Sequence, residues 1–204
     1  ASQPQHYQFI KDNYPELYER IKKAVKSGNW EAQGGMWVEA DCNLISGESM
    51  VRQLLHGKNF FRDELGVDVD NLWLPDVFGY SAALPQILKK SGINYFLTQK
   101  LSWSQFNEFP HHTFNWRGID GTEILTHFPP ENTYNSELDT EFLIPARDSF
   151  KEKDQIDEFI SLFGVGDGGG GPKPENIELG RRMADLESAP RLRFDTAKNF
   201  FDRL

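Results

Sequence analysis

Residues 71–98 read NLWLPDVFGYSAALPQILKKSGINYFLT, and this stretch indicates the fold class. The apolar run from Asn71 to Pro75 is typical of a short strand, and residues 78–81 are typical of a turn. Residues 85–90 then predict a helix, and residues 95–98 predict a second strand. Strands that alternate with helices predict a parallel sheet, which places binding groups in the loops after the carboxyl ends of the strands.

The flanking sequence continues the alternation of helices and strands. Apolar residues spaced by three and four over residues 5–26 predict a helix, which Pro15 divides or restarts. Residues 35–39, GMWVE, are β-prone, and residues 46–65 predict a further helix. Another strand is predicted at residues 124–128. We therefore expect an α/β fold with mostly parallel strands alternating with helices.

The composition of the 204-residue chain excludes some classes of partner. A formal net charge of −9 argues against nucleic-acid binding, since contact with the phosphate backbone needs clustered Lys and Arg. No apolar run approaches the ~20 residues that cross a bilayer, so we expect no membrane partner. Cys42 is the single cysteine, which excludes an intrachain disulfide and suits a cytoplasmic location.

Asp76 lies at the position where an α/β sheet exposes chemically active groups. It follows the apolar run directly and precedes a turn and a helix that starts near a proline. A carboxylate at the carboxyl end of a strand is accessible to a ligand. The alternative interpretation is structural, because an Asp before a helix often caps it or shapes a turn.

Four further motifs stand in order around the Asp76 segment. They are GGMWVEAD at 34–41, SGES at 46–49, LTQK at 97–100 and GDGGGGP at 166–172. Together with LWLPDVFGYS at 72–81, they resemble the glycoside hydrolase family 38 α-mannosidases, and most of all the cytosolic and vacuolar branch of that family. The resemblance implies that residues 1–204 form a single partial catalytic domain, a fragment of a larger multidomain enzyme with part of a (β/α) barrel.

The resemblance assigns the catalytic roles to two aspartates. Asp76 occupies the position of the nucleophile, which in the family also coordinates a catalytic zinc ion. A retaining glycosidase needs such an ionised carboxylate and a second carboxyl group ~5 to 5.5 Å away that protonates the leaving oxygen. Asp167 falls near the family's acid/base aspartate, although other members carry an Asp-Asp or Ser-Asp-Phe pattern there. An Asp that shapes a glycine-rich turn is the other interpretation of Asp167.

Three more residues are candidates for substrate binding through the same resemblance. Tyr134 and Asn135 match a Tyr-Asp pair that contacts sugar hydroxyls in relatives, and the change to Asn keeps hydrogen bonding but removes the charge. Lys100 stands where some relatives have Arg, so a point charge replaces a planar fork. Without the resemblance, Tyr134 and Lys100 would be read as ordinary loop or surface residues.

The zinc site is incomplete in this sequence. Family members take further ligands from a His-x-Asp motif near the start of the catalytic domain and from a distant His, and no His-x-Asp occurs here. Catalytic zinc normally has three protein ligands, so we expect the remaining ligands of zinc, or of another divalent metal, to lie outside this chain. The neighbouring His111 and His112 do not replace them, because adjacent side chains do not project along a common face.

The resemblance implies a function for the longer protein. We expect a zinc-dependent retaining glycoside hydrolase that releases terminal α-linked mannose from oligosaccharides, with the isolated fragment inactive. The alternative is a noncatalytic carbohydrate-binding or scaffolding module, which the missing zinc ligands favour for the isolated chain. Because cutting a barrel exposes strand edges and apolar helix faces, we also expect self-association, as in a homo-oligomer.

Overall fold

The computed structural model describes residues 1–166 and 169–204, and it has the α/β architecture that the sequence predicts. The elements in chain order are α1 (Pro4–Asn13), α2 (Pro15–Lys26), α3 (Gly47–Leu65), β1 (Asn71–Trp73), α4 (Leu84–Lys90), β2 (Tyr95–Leu97), β3 (Thr113–Arg117), β4 (Glu123–His127), α5 (Thr140–Ser149), α6 (Pro174–Arg182) and α7 (Ala197–Arg203). Short 3-10 helices occur at Lys100–Trp103 and Met183–Asp185. None of the described helices is long and apolar enough to span a membrane.

The strands form a four-stranded sheet in the order β1-β2-β4-β3. Strands β1 and β2 pair in parallel, with Leu72 opposite Phe96 and Trp73 opposite Leu97. A parallel pair needs a crossover connection, and α4 lies in the crossover between them. The order strand, helix, strand predicted for residues 71–98 is thereby confirmed.

The chain divides into two compact units. Unit 1 consists of residues Ala1–Thr98 and Asn115–Thr126, and unit 2 consists of residues Gln99–Phe114 and His127–Leu204. The expectation of a single partial catalytic domain over residues 1–204 stays a prediction. Each unit has its own buried side chains and is described separately.

Unit 1 contains an apolar core around strands β1 and β2. Its fully buried members come from the two strands, from helices α3 and α4 and from the segments next to these elements. They include Met36, Leu54, Leu72, Leu74, Leu84, Leu88, Ile93 and Phe96. A second cluster in the same unit joins the first three helices through Tyr7, Tyr18, Ile21, Phe60 and Phe61.

Helix α3 is bounded by the signals that its sequence carries. The Ser46 hydroxyl accepts a hydrogen bond from the backbone N–H of Ser49 at 3.2 Å, which caps the first turn. Gly66 ends the helix with a left-handed backbone, φ 71°, a conformation that glycine adopts without steric cost. The predicted break at Pro15 is also confirmed, because α1 ends at Asn13 and α2 begins at Pro15.

The predicted strand at residues 35–39 is wrong. Only Gly34 bridges to β1, through Leu72, and residues 35–38 are bends. The reason lies in α3: the backbone N–H of Trp37 donates to the Gln53 carbonyl at 2.9 Å, and that of Val38 donates to Gln53 Oε1 at 3.0 Å. Because these backbone N–H groups donate to a helix, the β-prone run makes no ladder of hydrogen bonds with a neighbouring strand.

The described part of unit 2 contains helices α5, α6 and α7 and closely packed aromatic rings. The ring of buried His127 lies 4.8 Å from the ring of Phe200 on α7, and Phe150 follows α5 and packs against His112 and Phe159. The sequence did not predict β3, α5 or α7. Helix α6 is followed directly by the 3-10 turn at Met183–Asp185.

Candidate functional site

Asp76 lies in the loop that begins where β1 ends. The backbone N–H of Leu74 donates to the Leu97 carbonyl at 3.0 Å, so the pairing with β2 continues one residue beyond Trp73. The chain then leaves the sheet at Pro75, and Asp76 Oδ1 is buried from solvent. The predicted placement of Asp76, directly beyond a parallel strand, is confirmed, while its catalytic role stays a prediction.

The hydroxyl of Tyr80 lies beside both ends of the Asp76 loop. It is 3.0 Å from the Leu74 carbonyl oxygen and 2.9 Å from the Val77 carbonyl oxygen. It also makes a short hydrogen bond with the Thr98 hydroxyl, at the end of β2. The loop that holds Asp76 is therefore tied through one side chain to the neighbouring strand.

Glu39 is a second carboxyl group in the neighbourhood of Asp76 that the sequence did not single out. Burial raises its pKa, a hydrogen bond from the Ser2 hydroxyl at 2.8 Å opposes the shift, and the negative charge of Asp76 raises the pKa further. The bridge between Gly34 and Leu72 explains the proximity, because it is parallel and the chain runs in the same direction from Gly34 as from Leu72. This bridge is the feature that could have pointed to Glu39. When a β-prone run lies beside a parallel strand, the residues after the run reach the same edge of the sheet as the residues after the strand.

Asp41 and Glu48, two acidic residues of the motifs at 34–41 and 46–49, have structural roles. Asp41 Oδ1 accepts a hydrogen bond from the backbone N–H of Asn43 at 2.8 Å, which shapes the turn before α3. Glu48 lies in the first turn of α3 and pairs with Arg52 at 2.9 Å on an exposed face. The first contact is that of an Asx turn, and the second is an ion pair between residues four apart on one helix face.

Lys100 and Tyr134, two of the predicted substrate-binding residues, come together in unit 2. The Lys100 ammonium lies 3.5 Å from the centre of the Trp103 ring and 5.7 Å from that of Tyr134, and only 7% of the Lys100 surface is exposed. Trp103 is 60% exposed, and its Nε1–H donates to the Asn132 carbonyl at 3.3 Å. The lysine charge is thus held against aromatic rings, an arrangement that orients the rings as well as the cation.

Asn135, the third predicted substrate-binding residue, contacts the start of the glycine-rich run. Its Oδ1 accepts a hydrogen bond from the Gly166 backbone N–H at 2.8 Å. A side chain at Gly166 would clash with the ring of Tyr134 and lie 2.8 Å from Asn135 Nδ2, so only glycine fits this close approach. Asp167, the predicted acid/base residue, lies outside the described residues.

Glu131 links the same two segments and was not predicted as a site residue. Its Oε1 accepts hydrogen bonds from the Ser136 hydroxyl at 2.8 Å and the Ser161 hydroxyl at 2.9 Å. Burial raises the pKa of Glu131 to about 7, against the opposing effect of those two hydrogen bonds. No sequence pattern marks this carboxyl, because its burial depends on contacts between distant segments.

The histidines of unit 2 form a network with Glu152 instead of a metal site. Glu152 Oε2 accepts hydrogen bonds from the backbone N–H groups of His112 and Thr113 at 3.0 and 2.9 Å, and Oε1 lies 3.0 Å from His111 Nδ1. His127 Nδ1 lies 2.8 Å from the Thr113 hydroxyl, and burial lowers the pKa of His127 to about 3. These contacts therefore join the start of β3 to the end of β4 and to the segment that follows α5.

Zinc, the metal that the resemblance implies, needs several protein ligands close together. Over residues 1–166 and 169–204, no group of three or more His, Cys, Asp or Glu side chains is arranged to hold a metal. A catalytic zinc ion normally takes three protein ligands and keeps one open position. The described part of the chain does not by itself fit a zinc site.

Comparison with known proteins identifies relatives over the whole chain. Alpha-mannosidase G of Dictyostelium discoideum is 50% identical over 203 residues, which are 100% of this chain and 19% of the relative. Human alpha-mannosidase 2C1 is 44% identical over 204 residues, which are 100% of this chain and 20% of the relative. The chain therefore spans about a fifth of the length of these curated relatives.

A solved structure and a family model agree with these relatives. The crystal structure of an alpha-mannosidase from Enterococcus faecalis V583 superposes with a TM-score of 0.77 at 19% identity, over 99% of this chain and 23% of that chain, which shows a shared fold. The model described as the glycosyl hydrolases family 38 N-terminal domain matches residues 1–204. The resemblance found in the sequence motifs is confirmed, and the chain belongs to glycosyl hydrolase family 38.

Proposed function

We propose that the protein containing this chain hydrolyses terminal α-linked mannosides. The observation that carries the proposal is the position of Asp76, directly beyond parallel strand β1, in a segment that resembles the family's nucleophile motif. Two relatives named alpha-mannosidases, 50% and 44% identical to this chain, support the choice of substrate. The Asp76 carboxylate at the edge of the sheet and the family membership together support mannoside hydrolysis.

The proposed reaction retains the configuration of the sugar. The Asp76 carboxylate attacks the anomeric carbon while an acid protonates the leaving oxygen, and water then releases mannose from the glycosyl-enzyme with the acid acting as a base. Asp167 is the proposed acid/base residue by resemblance to the family motif. Lys100, Tyr134 and Asn135 are proposed to contact the sugar hydroxyls.

Zinc dependence is proposed for the longer protein only. Since the described part of this chain does not hold three ligands together, Asp76 would contribute one carboxylate and the other ligands would come from outside residues 1–204. A bound zinc ion would supply a positive charge and a template for sugar hydroxyls. Metal analysis of the full-length protein before and after dialysis against a chelator tests this part of the proposal.

Asp76→Asn in the full-length protein tests the proposed function. Loss of the attacking carboxylate should lower the hydrolysis of an aryl α-mannoside by roughly 10³-fold or more, because the proposed covalent intermediate forms on that carboxylate. The matched control is Asp63→Asn, which neutralises an exposed aspartate of α3 that pairs with Arg62. Normal turnover by Asp76→Asn would contradict the proposal.

A second candidate function is that of a noncatalytic carbohydrate-binding module. It is favoured for the isolated chain by the lack of a three-ligand metal cluster among the residues described. Calorimetric titration of the chain with a mannose oligosaccharide, with and without zinc, separates the candidates. Zinc-independent binding together with an inactive full-length protein would support the module.

Location and association are further proposals for this protein. A cytoplasmic location rests on the single cysteine, Cys42, which is buried and carries a raised pKa of about 12, mainly because of burial. Self-association of the isolated chain is supported by exposed apolar side chains on α1 and α2, including Phe9 and Leu17. Fractionation of cells and light scattering of the purified chain test the two points separately.

A further inference from the structure

The loop that carries Asp76 is closed by a single hydroxyl group. Leu74 and Val77 flank Asp76, and both of their carbonyl oxygens lie within hydrogen-bond distance of the Tyr80 hydroxyl, at 3.0 and 2.9 Å. A backbone carbonyl that leaves a strand needs a partner elsewhere, because burial without one costs free energy. Here one side chain, four residues beyond Asp76, satisfies a carbonyl on each side of it.

The hydrogen count at Tyr80 fixes the direction of these bonds. A phenol has one hydrogen to donate and can accept others through its lone pairs, whereas carbonyl oxygens can only accept. Tyr80 therefore shares its hydrogen between Leu74 and Val77, and the Thr98 hydroxyl donates to Tyr80. Because Thr98 is fully buried and directly follows β2, the loop is tied to the sheet as well as to itself.

The Tyr80 ring is itself held by the core of unit 1. It packs edge-on against Phe96 of β2, with ring centres 5.0 Å apart and planes at 74°, and Phe96 also contacts Trp116 at 5.6 Å. Burial raises the pKa of the Tyr80 phenol, so the group keeps the hydrogen that it donates. The hydroxyl is thus a fixed donor and not a mobile surface group.

We propose that Tyr80 is a positioning residue for the Asp76 carboxylate, with Thr98 as its partner. The hydroxyl fixes the backbone on both sides of Asp76 and so sets the direction in which the carboxylate points. This inference rests on the proposed function, since it names a residue that acts through the proposed nucleophile. A small displacement of a reacting group costs rate far more than it costs stability.

Kinetics of Tyr80→Phe in the full-length protein test the proposal. The variant keeps the ring and removes only the hydroxyl, so we expect kcat for an aryl α-mannoside to fall roughly 10- to 100-fold while KM changes by less than about threefold. The matched control is Tyr18→Phe, which removes the hydroxyl of a buried tyrosine in the same unit that bonds to Glu64 at 3.2 Å. An equal kcat in the two variants would overturn the inference.

Thr98 supplies the second test, which does not depend on the folding of the tyrosine variant. Thr98→Val removes the donor to Tyr80 and should lower kcat, whereas Thr98→Ser keeps a hydroxyl and should restore most of it. Because the two side chains act as one unit, the losses in Tyr80→Phe and Thr98→Val should not add in the double variant. Additive losses, or a normal kcat in Thr98→Val, would count against the proposal.

Hydrogen exchange separates a failure of this inference from a failure of the proposed function. In the full-length protein, Tyr80→Phe should speed amide exchange of the peptide covering residues 74–80, and Tyr18→Phe should not. If the wild-type protein does not hydrolyse mannosides, the proposed function fails, and exchange alone decides whether Tyr80 holds the loop. Unchanged exchange in Tyr80→Phe would overturn the positioning role whatever the activity.

Discussion

The two compact units differ in what they bury. Unit 1 surrounds strands β1 and β2 with apolar side chains, and the hydroxyl beside the Asp76 loop belongs to a phenol that stays protonated. Unit 2 buries ionisable side chains, among them His112 and His127, whose pKa values burial lowers, and Glu131, whose pKa burial raises. The comparison teaches that unit 1 buries mainly apolar side chains, with Glu39 as a carboxyl whose pKa burial raises, whereas unit 2 buries both histidines of lowered pKa and a carboxyl of raised pKa.

This difference affects how the stability of each unit depends on pH. A group whose folded pKa lies below its unfolded pKa lowers stability as the pH falls, and a carboxyl whose folded pKa is raised lowers stability as the pH rises. Unit 2 contains both kinds of group. We therefore expect the stability of unit 2 to decline on both sides of weakly acidic pH, whereas the raised pKa of Glu39 should make unit 1 less stable only as the pH rises.

The largest effect on unit 1 is expected from Leu72→Ala in β1. Leu72 is fully buried, so its removal costs the transfer free energy and leaves a cavity, in total about 2 to 5 kcal/mol. Urea unfolding of the protein at pH 6 and pH 8 should show the same loss at both values. The control is Leu55→Ala on α3, which is 52% exposed and should cost less than about 1 kcal/mol. A loss that varies with pH would break the comparison.

Acid should destabilise unit 2 through His127. Its unfolded pKa is near 6.5 and its folded pKa is about 3, so the unfolded state takes up the proton first as the pH falls. Between pH 6.5 and 5 the free energy of unfolding should drop by about 2 kcal/mol, and His127→Asn should remove that part of the slope. Amide exchange of unit 2 peptides at the two pH values measures it. An identical slope in wild type and variant would contradict this account.

A smaller effect of opposite sign is expected from Glu131. The folded state keeps a proton that the unfolded state loses above about pH 4.5, so this contribution to stability declines as the pH rises through about 7. Glu131→Gln keeps an acceptor oxygen for Ser136 and Ser161 and should flatten this part of the curve by about 1 kcal/mol, after allowance for solvent screening. Thermal unfolding at pH 5.5 and 7.5 is the measurement. A curve as steep as that of wild type would show that Glu131 does not titrate there.

The smallest effects are expected from the loss of helix caps. They sharpen the comparison because the cost in stability should be the same in both units. Ser46 caps α3 in unit 1, and the Thr196 hydroxyl caps α7 in unit 2 by accepting from the Asn199 N–H at 3.1 Å. Ser46→Ala and Thr196→Ala should each cost about 1 kcal/mol, independent of pH, since a hydroxyl cap does not titrate. Denaturation at two pH values checks this. A pH-dependent cost at Thr196 alone would show that charge, not capping, governs α7.

The sequence predicted those parts of the fold that depend on local signals. The strand before Asp76, the break at Pro15 and the capped helix α3 all follow from neighbouring residues, and the structure has them. Strand β3 was not predicted because it follows Pro110 and two histidines, and α5 was not predicted because it contains Pro145. A proline argues against a helix, yet here the Asp139 side chain caps the first turn by accepting from the Phe142 N–H at 3.1 Å.

The candidate site was predictable only where motifs carried it. Asp76, Lys100, Tyr134 and Asn135 were found through resemblance, and the structure shows where each of them lies. Glu39 and Asp76 are distant in sequence, so their proximity could not be predicted. No distinctive pattern indicates the hydrogen bonds of Tyr80 either. Such contacts depend on tertiary packing, which periodicity and capping rules do not describe.

The most direct test of the central claim is to find the residue that becomes mannosylated. The full-length protein would be treated with a fluorinated α-mannosyl donor that forms the glycosyl-enzyme quickly and hydrolyses slowly, then digested and examined by mass spectrometry. The account predicts one mannosyl adduct, on Asp76, absent from Asp76→Asn. An adduct on another carboxylate, Glu39 or Asp167 for example, or an active protein that never forms one, would contradict it.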